Sequence, residues 1–413
     1  MIKTIRNLSI IFLVMVILGF LLMVMCYTVP TENAHDTVIE NAPFMEKKYD
    51  AIPFYNSTKY DVFSDAVYLS EVSFYNKNVS LVENAMNVYG AKDLTNFQTY
   101  ASGDESVMGG YPRYWHGNLV ILKPLFYFLD YSAVKVLELF FELVMFVIIV
   151  KLMIENNLKD YIIPFLFSIF LIHPEVIGIN LQYWILFNIM LISVAVLLKF
   201  KEKLFKNNRL LYYFLIVGMS TNFLDILTFP LVTFGVPMIF CILLDDDSSL
   251  KENLLKIISF GLIWIVGYAG MWVSKWIISS VLLNADVIGD ALRKIFIRTS
   301  TVEYTRVDAI LENLLVYKKK SYLIIFALIG VYYIRKLIPV IKNISRLDLN
   351  RVIPFMIMAI LPFGWFFILS NHSYIHAFFT YRILLIFFFA IFCSLEYLCA
   401  KKIDSKECHE SEC

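Results

Sequence analysis

The sequence predicts an all-α polytopic membrane protein with about ten transmembrane helices and a large first extracytoplasmic loop containing interfacial helices. Three observations lead there. Of 413 residues, 59% are hydrophobic and only 17% are charged. The apolar residues fall in blocks near the ~20 residues needed to cross a bilayer. Basic residues recur between alternate blocks, the pattern that orients membrane helices.

Taken in order, the apolar runs are 7–27, 132–153, 160–178, 181–199, 210–227, 229–244, 255–283, 321–339, 352–370 and 376–399. The first follows Lys3 and Arg6. It is too long for a signal-peptide core and no small-residue cleavage pattern follows at Cys26-Tyr27-Thr28, so it is read as an uncleaved anchor. If every run crosses, Lys3/Arg6, Lys151/Lys159, Lys199–Arg209, Lys251/Lys256, Arg335–Arg351 (with Lys342) and Lys401/Lys402/Lys406 share one side, which the positive-inside rule makes cytoplasmic. The organisation expected is a first transmembrane helix (1–27), an extracytoplasmic loop (28–131), a helical bundle (132–399) with an outward loop at 284–320, and a cytoplasmic tail (400–413). The expectation is a multi-pass protein of the plasma (cytoplasmic) membrane with both termini cytoplasmic.

The outward loop 284–320 breaks the rule, since it carries Arg293, Lys294, Arg298, Arg306 and Lys318–Lys320. Either the overlong 255–283 run hides a second span, or these cations meet something anionic outside; the second reading is preferred because charge parity holds on both sides. The first loop is aromatic (Phe54, Tyr55, Tyr60, Phe63, Tyr68, Phe74, Tyr75), hence not disordered, and 61–75 spaces its apolar residues as a surface helix would. The run 117–131, interrupted by Pro124, is too short to span and reads as interfacial or re-entrant.

A net charge of +1 excludes a global field for nucleic acid. Walker, Rossmann and zinc motifs are absent, so no nucleotide or flavin cofactor is indicated. Cys26, Cys241, Cys393 and Cys399 lie in or beside apolar runs, and Cys408-His409…Cys413 is too thin for zinc; free thiols are expected.

Candidate chemistry collects toward the predicted outer face. Asp61 and Asp65 are four apart, one face of a helix, and a carboxylate there suits a general base or a divalent-cation ligand. Glu71, Asp104 and Glu105 are further acids of the loop. At its end, Arg113 and His116 sit among Tyr111, Tyr114 and Trp115 between glycines, a combination suited to sugar stacking and phosphate binding, or alternatively to interfacial anchoring. Arg298, Arg306, Arg382, His372 and His376 complete the substrate- and phosphate-binding candidates, with Asp225, which could equally cap a corner before Pro230. His372 and His376 lack the further ligands a metal needs. His173-Pro174-Glu175 and Lys275 are other ionisable residues inside or beside spans.

A first span, a large outward loop with an acid soon after it, and many following helices resemble the GT-C class of integral-membrane glycosyltransferases, in its uncharacterised bacterial type. The resemblance is architectural; no paired-acid motif or large soluble C-terminal domain accompanies it. It implies a polyprenyl-phosphate-linked sugar as donor and a cell-envelope glycan or lipid as acceptor. Asp65 in Phe63-Ser64-Asp65-Ala66 would be the base or metal-holding acid, with Asp61 in Tyr60-Asp61-Val62 second, and a divalent cation is an open question. The competing expectations are a transporter or flippase of an amphipathic substrate, which needs polar residues at mid-membrane, and a non-catalytic assembly protein.

Overall fold

The computed structural model describes residues 2–46, 51–54, 58–245, 248–339 and 346–410. Tyr55, Lys342 and Cys413 lie outside the described residues, as do the side chains of Phe54, Arg346, Lys401, Lys402, Lys406 and Cys408. The described chain is helical apart from two small hairpin-like pairings. Five stretches are long and apolar enough to cross a membrane: Ile2–Cys26, Leu181–Lys199, Leu250–Leu283, Asn350–Ile368 and Ala377–Cys399.

Helix α1 (Ile2–Cys26) exposes Ile10, Leu13, Val14 and Ile17, while Met23 and Cys26 are buried. A helix apolar on its exposed face is built for a hydrocarbon surround. The first loop then folds as a compact unit: α2 (Glu32–Asn41), the antiparallel strands β1 (Ala51–Phe54) and β2 (Thr58–Asp61), α3 (Val62–Ser73), α4 (Leu81–Asn87), β3 (Tyr89–Gly90), α5 (Leu94–Ala101), β4 (Gly109–Gly110), paired with β3, and α6 (Leu119–Phe128). Its aromatics are core residues, with Tyr60, Tyr68, Phe74, Phe97 and Tyr100 all buried. Here the surface-helix expectation for 61–75 fails. Ten of the twelve residues of α3 are buried, Asp65 and Glu71 among them, so α3 is a central strut of the loop rather than a helix lying on a membrane. The run 117–131 does hold a short helix, the ten residues of α6.

The bundle begins with α7 (Tyr131–Glu155), capped by Asp130, which accepts from the Ala133 amide at 2.8 Å. The expected span 160–178 is broken. It holds α8 (Ile162–Phe170), nine residues or about 14 Å, then His173 in the left-handed region (φ 59°), then the single turn α9 (Pro174–Ile177). Proline after a left-handed residue ends one helix and starts another. Next come α10 (Leu181–Lys199), α11 (Lys201–Leu204), α12 (Arg209–Leu224) and α13 (Val232–Leu244).

Helix α14 (Leu250–Leu283) is continuous over 34 residues behind a Ser249/Glu252 capping box. At ~1.5 Å per residue it spans about 51 Å, well beyond a ~30 Å hydrocarbon core. The overlong run therefore hides no second span. Helices α12 and α14 touch backbone to backbone: a Cβ on Gly218 would lie 2.3 Å from the Trp264 carbonyl, and one on Gly267 2.5 Å from that of Leu215. Reciprocal glycines permit such an approach, and any larger residue would separate the pair. The 284–320 segment is structured, with α15 (Val287–Thr299) and α16 (Arg306–Leu315). The chain closes with α17 (Lys320–Leu337), α18 (Arg346–Ile368), the short α19 (Ser370–Ile375) and α20 (Ala377–Thr380), and α21 (Leu385–Glu410). The cysteines Cys26, Cys241, Cys393 and Cys399 are free and buried.

Candidate functional site

Asp61 and Asp65, one turn apart, have different surroundings. Asp61 caps α3: one carboxylate oxygen accepts from the Ser64 amide at 3.0 Å and the other from the Tyr183 hydroxyl at 2.8 Å. Although only 3% exposed, it forms part of the wall of a cavity of about 570 Å³. Burial pushes its carboxyl up from the ordinary value, against the Ser64 and Tyr183 hydrogen bonds and the nearby Arg382 charge.

Asp65 is wholly buried and does not line that cavity. One oxygen accepts from Asn180 Nδ2 at 3.0 Å and the Leu181 amide at 2.9 Å; the other accepts from the Tyr131 hydroxyl at 2.5 Å and from Tyr60, with Lys135 Nζ 3.1 Å away. Burial pushes it up as well, opposed first by the Tyr131 and Leu181 hydrogen bonds. A carboxylate enclosed by five donors ties α3 to α7 and α10; it has no lone pair free for an acceptor hydroxyl. The expected order is thus reversed: Asp61 faces open space and Asp65 is a structural tie.

The cavity lies between α3, the β3–β4 turn region, α15 and α19–α20, and its wall includes Glu71, Lys92, Arg113, Asp290, Lys294, Arg298, His372 and His376. Beside it runs an apolar groove of about 650 Å³ between α14 and α18, with Leu231 and Phe234 also in its wall. One wall is an aromatic ladder, Trp264, Tyr268, Trp272 and Trp276, whose successive rings lie 5.0, 5.2 and 5.9 Å apart. Four residues line both spaces: Arg113, Leu227, Lys294 and Arg298. Three of the four are cations.

These cations are held differently. Arg113 pairs with Asp290 and lies 4.7 Å over the Tyr111 ring. Arg298 donates to the Tyr114 hydroxyl, and among the described residues neither Arg298 nor Lys294 is paired with a carboxylate. Two cations without a carboxylate partner, where an apolar groove meets a polar cavity, have the chemistry to hold an anion whose apolar tail lies in the groove.

Several expected ligands are placed elsewhere. Trp115 is fully buried and donates to the Met271 carbonyl at 2.8 Å; His116, also buried, bridges Glu71 at 3.0 Å and the Tyr111 carbonyl at 3.2 Å. With Trp276 donating to the Arg113 carbonyl at 3.0 Å and Lys275 to the Met86 carbonyl at 2.8 Å, they lock the loop against α14. Gly117 makes the close approach possible, since a Cβ there would meet the Phe223 carbonyl at 2.5 Å. Tyr114, by contrast, does line the groove. Arg306 is exposed at the start of α16, 4.4 Å over the Phe367 ring, and lines neither space. Arg382 is buried between the Tyr183 and Tyr381 rings (4.7 and 4.8 Å), donates to the Phe378 carbonyl and lines neither space, while its charge acts on Asp61. Asp225 accepts from the Leu227 and Thr228 amides at 2.9 and 3.0 Å and caps the corner before Pro230. His372 and His376 do line the cavity, their rings 4.7 Å apart.

Lys294 and Glu71 are wall residues that were visible in the sequence only as a misplaced charge and one loop acid among several. Among the described residues, no group of three or more His, Cys, Asp or Glu side chains is placed to hold a metal ion. Comparison with protein-family models, curated proteins and solved structures returns no match.

Proposed function

We propose that the protein is a membrane glycosyltransferase of GT-C type that moves a sugar from a polyprenyl-phosphate donor to a cell-envelope glycan or lipid acceptor at the outer face of the plasma membrane. The observation that carries this reading is the shared wall: an apolar groove and a polar cavity meet at Arg113, Lys294 and Arg298, with Asp61 in the cavity beyond. A polyprenyl chain in the groove gains ~0.8 kcal/mol per methylene removed from water, less when it arrives from lipid. Its phosphate then rests at the cations, and its sugar projects into the cavity.

In the reaction the acceptor hydroxyl oxygen attacks the anomeric carbon as the carbon–oxygen bond to phosphate breaks. The proton passes to Asp61, and the bonding pair leaves with polyprenyl phosphate, whose added charge Arg298, Lys294 and Arg113 stabilise. Burial raises the basicity of Asp61, which favours proton capture. Ten spans with both termini cytoplasmic belong to the same proposal: α7, α8–α9, α12, α13 and α17 would cross through contact with the five longer spans.

A second reading, a transporter or flippase of the same lipid, draws on one observation. Glu138 and Glu142 of α7 are buried, and three of their four carboxylate oxygens have no partner among the described residues. Buried acids on a membrane helix often serve ion-coupled movement. One experiment separates the two. Purified protein in vesicles containing a radiolabelled polyprenyl-phosphate hexose and membrane-derived acceptor should release polyprenyl phosphate and label the acceptor. Movement of intact lipid between leaflets, with the sugar–phosphate bond unbroken, would replace transfer by transport. Cells lacking the protein should accumulate the lipid-linked sugar.

A further inference from the structure

We propose that His372 reads a hydroxyl group on the sugar of the lipid-linked substrate through an unprotonated Nδ1, and is therefore a specificity residue rather than a phosphate ligand. This deepens the glycosyltransferase reading and rests on it. His372 is 4% exposed and lines the cavity that also holds Asp61 and Arg298. Its Nε2 lies 3.0 Å from the Leu227 carbonyl oxygen. A carbonyl only accepts, so Nε2 carries the hydrogen.

The direction of that carbonyl is set by a strained turn. Leu227 has φ 78°, a conformation leucine rarely adopts, and its amide donates to Asp225 at 2.9 Å while the Thr228 hydroxyl donates to the same carboxylate at 2.5 Å. Backbone strain held by a buried aspartate fixes where the His372 ring sits and which nitrogen is protonated. A second proton on the ring is opposed by burial and by the Arg298 charge, which hold His372 well below its ordinary value.

A neutral ring with hydrogen on Nε2 presents Nδ1 as a lone-pair acceptor, and Nδ1 has no partner among the described residues. A buried acceptor left empty is unfavourable. Phosphate oxygens also accept and would repel it. A sugar hydroxyl donates and fits. The cations and the histidine thus divide the ligand between them, with phosphate at Arg298 and Lys294 and hydroxyl at His372. His376, whose Nδ1 is likewise without a partner among the described residues, lines the cavity beside it, the two rings 4.7 Å apart.

The test compares two probes on full-length protein in lipid nanodiscs: polyprenyl phosphate carrying a hexose, and polyprenyl phosphate alone. Wild type should prefer the sugar-bearing lipid. His372→Phe should lose about tenfold of that preference, the scale of one hydrogen bond to a buried group, while binding bare polyprenyl phosphate as wild type does. His372→Asn, which returns an acceptor near Nδ1, should recover part of it. An unchanged preference in His372→Phe overturns the proposal and leaves the glycosyltransferase reading standing. Wild type binding neither lipid overturns that reading and the inference with it. A measurement independent of mutant folding is the 15N spectrum of histidine-labelled wild type: His372 Nδ1 should resonate as an unprotonated nitrogen and respond to the hexose lipid alone. A protonated Nδ1 signal contradicts the proposal.

Discussion

Asp61 and Asp65 stand one helical turn apart, yet their surroundings are opposite. Asp61 has two donors and a cavity in front of it, whereas Asp65 has five donors and none. Both are buried, so burial alone does not distinguish them. The difference lies in what remains free: a carboxylate with spare acceptor capacity beside open space can take a proton, and one saturated by protein donors holds helices together.

Substitution should divide the pair. Asp61→Asn is isosteric: its amide oxygen can keep accepting from the Ser64 amide and its NH2 can donate to the Tyr183 hydroxyl oxygen, so folding should persist while transfer falls by about 100-fold or more, the scale of general-base removal. This is read as product formed per folded molecule. Asp65→Asn should reduce stability instead: Lys135 loses its partner in a buried setting, at a cost of ~3 kcal/mol, seen as a lower melting temperature and abundance, with transfer per folded molecule reduced less than tenfold. Equal loss of transfer in both variants at equal melting temperature would erase the distinction.

The cations and the groove sharpen the comparison on the ligand side. Arg298→Gln removes a charge not neutralised by a carboxylate and should raise the donor KM by about tenfold, with a smaller rise for Lys294→Gln, which is solvent-exposed. The pH dependence tests Asp61 directly. On the proposed mechanism transfer needs its carboxylate form, so the rate should fall as pH falls, and the acidic limb should lie above the ordinary 3.8 because burial raises this group. A limb at the ordinary value would point to a solvated acid elsewhere. The smallest effect is expected at Gly364, a groove residue where a Cβ meets nothing within 4 Å. Gly364→Leu should leave the melting temperature unchanged and weaken long-chain donors about two- to fivefold more than short-chain ones, by occupying chain volume.

Much of the frame was legible in the sequence. Apolar runs located the helices, and the cap residues Asp61, Asp130, Asn180 and Ser249 stand where helices begin. The cations at 284–320 stand out in the sequence against the positive-inside pattern, and two of them, Lys294 and Arg298, line the cavity. The i, i+4 ladder from Trp264 to Trp276 is also readable in the sequence as one face of a helix. What could not be read was the ranking of the two aspartates. It depends on Asn180, Leu181 and Tyr131, which lie 66 to 116 positions away in the chain. Likewise the Tyr111–Gly117 cluster has the residue types of a sugar platform, but Met271 and Glu71 claim Trp115 and His116 for the interior. Composition names the available chemistry; long-range contacts decide which groups remain free.

The central claim is that the lipid phosphate sits where the groove and cavity share their cations. The most direct test is a cryo-electron microscopy structure with polyprenyl phosphate bound in nanodiscs. Phosphate density within ~4 Å of Arg298 and Lys294, the reach of an ion pair, with the chain between α14 and α18, is the predicted result. A phosphate bound instead in the separate cavity near Lys336 and Arg351, with the α14–α18 groove empty, would contradict the account.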